Sequence, residues 1–298
     1  ASAWFEQNGE VGEAFQHAMS AADVERAARL LESSWLGMDE TFQSGTWLGW
    51  ANQLPLSVRR LRPVLLTQMG WAHMDLGNAE SSESCLQEAE ASLRNPREEL
   101  VIVDAEQFRV LPARIAIARA YNAQVQGRFE DTVMYAETAL DLIPEDQAFM
   151  QAQAASIMSA SNWAKGELET AYEYMSNFVT ASLNNGNIAF AIASSFARAA
   201  ILVTQGRLRD GMQVQRSALE LAATHHAEEF AAQHHLGLGL LHYEMGEDER
   251  AAQHLQKAFA LGQQISTVDW AYNKRRAQAY LKESEGDLDT ALDLWDEA

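Results

Sequence analysis

Small and apolar residues recur along the chain at intervals of three and four, which is the spacing of one face of an α-helix. Residues 233–263 show the pattern clearly: an apolar stretch ends near Met245, and a polar turn begins at Gly246. Small or apolar residues then follow five, nine and twelve positions after that glycine, on one face of a second helix. Gly239, seven positions before Gly246, is small enough to let the two helices approach closely. The segment therefore predicts an antiparallel helical hairpin.

The same pattern occurs six times, and each copy can be indexed by its turn glycine. The spacings between these glycines are 50, 39, 40, 40 and 40 residues. The residues five after and seven before each glycine are all small, as two closely crossing helices require. The turn glycines are Gly77, Gly127, Gly166, Gly206, Gly246 and Gly286. We predict an all-α fold, a tetratricopeptide-like superhelix of hairpins (an α-solenoid) with about 40 residues per repeat.

The first 62 residues carry a looser form of the pattern. It starts at Gly9 and restarts at Ala22, only 13 residues later, which predicts short helices. We expect residues 1–62 to join an upstream module and residues 63–298 to form one continuous repeat domain. Links between hairpins are predicted at 184–187 and 222–225, and Pro144 is well placed to start a helix.

The 50-residue spacing between Gly77 and Gly127 contains about ten extra residues. The β-branched residues at 100–103 leave a strand-like segment open as an interpretation. We favour an elongated helix after a loop at 94–97.

The amino-acid composition limits the partners and the compartment that suit this chain. The chain has 42 acidic and 22 basic residues, a net charge of −20, which repels nucleic acid and anionic membranes. No apolar run reaches the length of a transmembrane helix. The single cysteine, Cys85, excludes an internal disulfide and fits a reducing compartment. We therefore expect a cytoplasmic chain that contacts neither nucleic acid nor membrane.

Several segments together resemble a known family. They are residues 3–28, 50–55, 60–63, 70–72, 236–255 and 286–292. The sequences of these segments are similar to those of the sensor region in the large ATP-binding LuxR-type transcriptional regulators, of which the maltose-regulon activator is the best-known member. The resemblance implies an upstream ATPase, a downstream helix-turn-helix, inducer sensing, self-association and regulator proteins as partners. No phosphate-binding loop occurs here, so ATP is expected only for the upstream module and no cofactor for this chain, which we expect to be a fragment.

The first helix of each hairpin is expected to face the concave groove of such a superhelix. Aromatic rings beside amide and guanidinium groups suit a small polar ligand, either a sugar or an aromatic acid. The alternative is that the same side chains only pack neighbouring helices. The candidate ligand-binding residues are Trp71, Tyr121, Gln124, Trp163, Phe196, Tyr243, Arg276 and Tyr280.

Other chemistry-bearing residues favour structural roles. Arg114, Arg119 and Arg198 could clamp an anion, but salt bridges are the favoured reading in so acidic a chain. The six histidines from His225 to His254 lack the short spacing of a zinc site, so we expect no metal and predict capping and interhelical hydrogen bonds. The Glu pairs at 98–99 and 228–229 suit helix starts, and no catalytic motif accompanies them. An enzyme is not expected.

Three functions remain open. The first is a sensor module that binds a small-molecule inducer and couples it to self-association and transcription activation. The second is a scaffold that binds a partner protein or peptide, because solenoids hold such partners on their long faces. The third is a surface used mainly for oligomerisation.

Overall fold

The computed structural model describes residues 1–41, 43–94, 100–227, 230–264 and 268–297. This part of the chain is α-helical without a β-strand, and a 3-10 turn follows α16 at Gly262–Gln264. The helices are α1 (Ser2–Gln7), α2 (Val11–Ser20), α3 (Val24–Glu40), α4 (Ser44–Ala51), α5 (Leu56–Arg59), α6 (Pro63–Asp75), α7 (Ala79–Arg94), α8 (Ala105–Arg109), α9 (Leu111–Val125), α10 (Phe129–Leu142), α11 (Ala148–Ala164), α12 (Leu168–Asn184), α13 (Ile188–Thr204), α14 (Leu208–Thr224), α15 (Ala231–Glu244), α16 (Asp248–Leu261), α17 (Val268–Ser284) and α18 (Leu288–Asp296). The predicted all-α hairpin fold is confirmed.

Every predicted turn glycine ends a helix in the left-handed region of φ. At Gly127, φ is +69°, its N–H donates to the Gln124 carbonyl, and the next N–H donates to the Ala123 carbonyl, both at 2.9 Å. This is the Schellman ending, which satisfies carbonyls that the helix leaves unpaired. The same two hydrogen bonds close the other five turns, so the glycine series is confirmed. Ala22 and His226 take the same conformation without being glycine, with φ of +56° and +53°.

The small positions lie where the two helices of each hairpin cross. All twelve are buried. A Cβ placed on Gly70 would lie 2.8 Å from Leu86 Cδ2, well inside an ordinary carbon–carbon contact. The helices therefore approach as closely as the sequence pattern predicts.

The chain divides into two compact units, Ala1–Gln147 and Ala148–Ala298. The predicted boundary after residue 62 and the single domain over 63–298 stay predictions. None of the helices in the described part of the chain combines the length and apolar character needed to cross a membrane.

Unit 1 contains the hairpins α1/α2, α3/α4, α6/α7 and α9/α10. The expectation of only short helices in residues 1–62 is wrong for α3, which has 17 residues because Asp23 caps it by accepting from the Arg26 N–H. The elongated helix expected after residue 97 is also wrong. Residues 100–104 are not helical, and Asp104 caps the separate short helix α8 by accepting from the N–H groups of Glu106 and Gln107. Residues 95–99, which include the first Glu pair and most of the loop predicted at 94–97, lie outside the described residues, and Arg94 is the last residue of α7.

A buried ion pair ties two helices of unit 1 together. Arg62, 2% exposed, donates to Glu32, 4% exposed, at 2.8 Å and to Glu25 at 2.5 Å. Burial is the main influence on Glu32 and raises its pKa, although Arg62 opposes that shift. Pro144 follows α10 in a turn and does not start a helix, contrary to the expectation.

Unit 2 contains the hairpins α11/α12, α13/α14, α15/α16 and α17/α18. Its core includes Leu236 and Leu255, both fully buried, and Trp270. The link predicted at 184–187 is confirmed around Gly186, whose φ is +77°. The link predicted at 222–225 begins later, because α14 continues to Thr224 and His226 makes the turn. The Glu pair at 228–229 lies outside the described residues.

Candidate functional site

The first helices of successive hairpins pack on one another within each unit. In unit 1 these helices are α3, α6 and α9, and in unit 2 they are α13, α15 and α17. Each second helix packs mainly on its own first helix and on the first helix that follows it. The first helices therefore form the inner side of each unit, where the sequence places the candidate ligand-binding residues.

Unit 1 brings two of the predicted aromatic residues into contact. The ring centroids of Trp71 and Tyr121 lie 5.6 Å apart with an edge-on geometry. Trp71 is 8% exposed, and its buried Nε1 has no hydrogen-bond partner among the described residues. Gln124, one turn after Tyr121 on α9, carries a buried Oε1 that also lacks a described partner. The pair combines ring surface with polar atoms that a ligand could engage.

A polar cluster next to this pair was not predicted. The carboxyl groups of Asp39 on α3 and Asp75 on α6 are hydrogen-bonded, and Ser44 Oγ donates to Asp75 Oδ2 at 2.6 Å. Burial raises the pKa of Asp75, because it disfavours the ionised form. A signal does exist in the sequence: Trp35 stands four residues before Asp39, as Trp71 does before Asp75.

The arginines on the first helices have different partners. Arg119 contacts Glu83 at 3.0 Å and Glu90 at 3.2 Å, which confirms the salt-bridge reading for that residue. Arg114 is half-buried near Asp39, and burial lowers its pKa while the Asp39 charge opposes the shift. The buried Nε of Arg198 has no hydrogen-bond partner within the described part of the chain.

Unit 2 places the remaining predicted residues in separate environments. Tyr243 and Tyr280 lie 4.6 Å apart by their ring centroids, and the Arg276 guanidinium lies 5.6 Å from the centre of the Tyr272 ring. Trp163 is half-buried on α11. Phe196 packs against the core around Leu236, which is the packing alternative considered for it. A ligand-binding role for these residues stays a prediction.

Four of the six histidines, His234, His235, His242 and His254, form hydrogen bonds, as predicted, and several of these bonds join different helices. His235 Nδ1 on α15 lies 2.9 Å from His254 Nδ1 on α16, and His242 Nδ1 lies 2.6 Å from Glu247 Oε2. The buried His234 contacts the Ile192 carbonyl through Nε2 at 3.0 Å. Burial is the main cause that lowers the pKa of His234 to about 4 and that of His254 to about 4. Within the described ranges, no three His, Cys, Asp or Glu side chains are grouped as a metal site would need.

A depression of about 370 Å³ lies elsewhere in unit 2. Its walls are the turn residues 206–210 together with Met245. None of the predicted ligand-binding residues lines it.

The sequence is similar to one protein family and to two larger proteins. Residues 113–298 match the family model described as the MalT-like TPR region. The serine/threonine-protein kinase PknK of Mycobacterium tuberculosis is 24% identical over 294 residues, which is 98% of this chain and 26% of the relative. The HTH-type transcriptional regulator MalT of Serratia proteamaculans is 25% identical over 222 residues, 74% of this chain and 24% of the relative. The chain thus spans about a quarter of the length of these relatives.

Solved structures share the helical-repeat fold. The apo form of RapI superposes with a TM-score of 0.60 at 11% identity, covering 95% of this chain and 92% of RapI. A Rap protein complexed with competence and sporulation factor gives a TM-score of 0.57 at 13% identity, covering 91% of this chain and 74% of that one. At these identities the likeness concerns the fold alone.

Proposed function

Because the chain belongs to the MalT-like TPR region family, we propose that it is the sensor part of a larger bacterial regulator. It binds a small-molecule inducer on the inner faces of its first helices. Occupancy then favours self-association of the whole protein and activation of transcription. The upstream ATP-binding module and the DNA-binding module of the LuxR type belong to the same proposal.

One observation carries the proposal: the contact between Trp71 and Tyr121 on the inner side of unit 1, where Trp71 Nε1 and Gln124 Oε1 are buried without a hydrogen-bond partner among the described residues. An unpaired buried polar group costs about 1–3 kcal/mol relative to a paired one. Ligand groups that pair with the Trp71 indole and the Gln124 amide recover part of that free energy. The aromatic rings supply apolar contact for the rest of the ligand.

The relatives support an input role whose output differs between proteins. The region occurs in a protein named as a transcriptional regulator and in one named as a serine/threonine-protein kinase. We therefore assign binding, and not catalysis, to this chain. A ligand shifts a two-state regulator only by its difference in affinity for the two states, and about 5.5 kcal/mol moves a population from 1:99 to 99:1.

Thermal-shift and calorimetric screening of the chain against sugars and aromatic acids tests the proposal. We expect saturable binding of a small molecule, weakened roughly tenfold or more by Trp71→Ala or Trp163→Ala. Trp4→Ala is the matched control, because Trp4 is 61% exposed on α1. Circular dichroism must show that each variant keeps its helices. Absence of binding at millimolar concentrations, or full binding by both inner-face variants, would refute the sensor assignment.

A protein or peptide partner is the second candidate, favoured by the acidic surface. A net charge of −20 attracts basic segments, and a Rap protein of this fold has been solved with competence and sporulation factor. Affinity purification that recovers a stoichiometric basic partner, with binding that weakens as salt rises, supports this function. Recovery of no such partner, or binding insensitive to salt, counts against it.

A further inference from the structure

The helices α3 and α6 of unit 1 run side by side in one register. Gln68 Nε2 donates to the Glu32 carbonyl at 3.1 Å, and the carboxyl groups of Asp75 and Asp39 are hydrogen-bonded. Both contacts join residues 36 positions apart in the sequence. Trp35 and Trp71 are also 36 positions apart. The two tryptophans therefore lie at one level, one helical turn below the carboxyl pair.

Three buried polar atoms on the two helical turns below the carboxyl pair lack a hydrogen-bond partner among the described residues. They are Trp35 Nε1, Trp71 Nε1 and Gln68 Oε1, on side chains that are 2%, 8% and 3% exposed. Gln68 is held in one orientation, since its Nε2 also donates to Gln107 Oε1 at 3.3 Å. Its oxygen is thus left as an acceptor, one turn of α6 below the Trp71 indole donor. Unpaired buried groups of this kind are rare in folded proteins and call for a partner.

The electrostatics at the carboxyl pair favour a cation. Asp75 is the last residue of α6, and Asp39 lies in the last turn of α3, so two negative helix ends meet there. A hydrogen bond between two carboxyl groups requires one shared proton. Two carboxyl groups that share one proton carry one negative charge, which the nearby Arg114 balances. If an ammonium group replaces the proton, the two carboxylates, Arg114 and the ammonium group again sum to zero charge.

The partly exposed side chains of Asp39, Asp75 and Arg114 leave this end of the cluster accessible from solvent. A ligand that satisfies the upper part of the cluster brings N–H donors to the carboxyl pair. It also brings oxygen acceptors to the indole donors, about one helical turn, 5.4 Å, away. The edge-on rings of Trp71 and Tyr121 offer apolar surface for a side chain. An ammonium group next to a carbonyl group has this combination.

We propose that Asp39, Asp75, Trp35, Trp71 and Arg114 together bind an α-ammonium group and its adjacent carbonyl group. This chemistry is shared by a free amino acid and by the N-terminal residue of a peptide. The inference rests on the proposed sensor function and names the ligand class for unit 1. The ammonium group binds between the carboxyl groups, and the carbonyl oxygen accepts from the indole N–H groups.

Isothermal titration calorimetry of the whole chain tests this with three sets of probes. They are the free amino acids, tripeptides that begin with each of them, and the N-acetyl derivatives of both. We expect one-to-one binding by a free-amine probe and at least roughly tenfold weaker binding by its acetylated form. Binding by amino acids alone identifies a free metabolite as the source, and binding by tripeptides alone identifies a peptide.

Variants locate the site. Asp75→Asn keeps the shape but removes the charge, and should weaken binding roughly tenfold or more, whereas Asp141→Asn on the exposed side of α10 should not. Trp71→Phe removes the indole donor but keeps an aromatic ring, and should weaken binding by a smaller factor. If Asp75→Asn loses its helical signal, Asp39→Asn replaces it.

Equal binding of acetylated and free probes, or unchanged binding by Asp75→Asn, overturns the inference. So does the absence of binding by every probe at about 10 mM. A sugar or aromatic acid that binds while all ammonium probes fail leaves the sensor function in place and removes only this site. Failure of both screens removes both.

Discussion

The crossing of α15 and α16 allows a quantitative test of the packing rule behind the repeat. Gly239 on α15 lies against α16, and a Cβ at this position would lie 2.5 Å from Leu255 Cδ2 and 3.3 Å from the Ala251 carbonyl. Ordinary carbon–carbon contacts are about 3.5–4.0 Å, so Gly239→Ala forces the leucine away by about 1 Å. Leu255 is fully buried in a core that includes Trp270, so it has no free space to enter.

Two opposing terms set the magnitude of the effect. Forcing an extra carbon into a packed core costs about 1–3 kcal/mol, here near the upper end because the displaced atom is fully buried. Replacing glycine by alanine inside a helix returns about 1 kcal/mol. Gly239→Ala should therefore destabilise the protein by about 1–2 kcal/mol. Gly37→Ala on α3 is the matched control, since a Cβ there meets no atom within 4 Å, and it should stabilise by up to about 1 kcal/mol.

Urea unfolding followed by far-UV circular dichroism measures both variants. The difference between the two free energies of unfolding should be about 2–3 kcal/mol, with opposite signs relative to the parent. The double variant Gly239→Ala/Leu255→Ala should be more stable than the sum of the single effects predicts, because the new methyl group fills space that the leucine vacates. If Gly239→Ala proves as stable as the parent, close crossing does not explain the small residues of the repeat.

Three further outcomes follow from the same structure. His226→Gly should raise the free energy of unfolding by about 1 kcal/mol in urea titrations, because φ is +53° at that turn, whereas unchanged stability would exclude strain there. Arg62→Met should cost about 3–5 kcal/mol at neutral pH by leaving Glu32 buried and unpaired. Because Glu32 already has a raised pKa, this loss should grow as pH rises above 4.5 in a pH series of urea titrations, and a flat pH profile would contradict the assignment. Burial lowers the pKa of His234 from 6.5 to about 4, so folding disfavours protonation of this side chain. The protein therefore keeps the full contribution of this group to stability above pH 6.5 and loses at most about 3 kcal/mol of it as pH falls towards 4. Urea titrations at both ends of that range should show a shallower pH slope in His234→Gln than in the control His225→Gln.

The helical repeat could be predicted because its determinants are local. A turn glycine needs only the left-handed φ of the Schellman ending, and a crossing position needs only a small side chain. Both requirements act within one hairpin and recur in the next. The same rule fails at His226, where a non-glycine residue takes the glycine conformation and the predicted link was placed too early.

The polar cluster of unit 1 could not be predicted in the same way. Its contacts join residues 36 positions apart on successive first helices, and a register of that kind is set by how hairpins stack. The sequence does repeat a tryptophan four residues before an aspartate, at Trp35–Asp39 and Trp71–Asp75. This repeat predicts the cluster only when the register of the two helices is already known. The elongated helix favoured after residue 97 was wrong because the β-branched residues at 100–103 disfavour a helix and Asp104 starts a separate short one.

The positions that vary between hairpins carry the information about function. The residue seven before each turn glycine is always small, because the crossing leaves no alternative. The residue six before it is under no such constraint, and it differs widely from one hairpin to the next. In chain order it is Trp71, Tyr121, Ala160, Ala200, Leu240 and Tyr280. Neighbouring hairpins both carry an aromatic residue there only at the first two, and those two rings are in contact beside the carboxyl pair. Because the helix crossing places no demand on this position, the paired aromatic rings are the sequence feature on which the proposed ligand site rests.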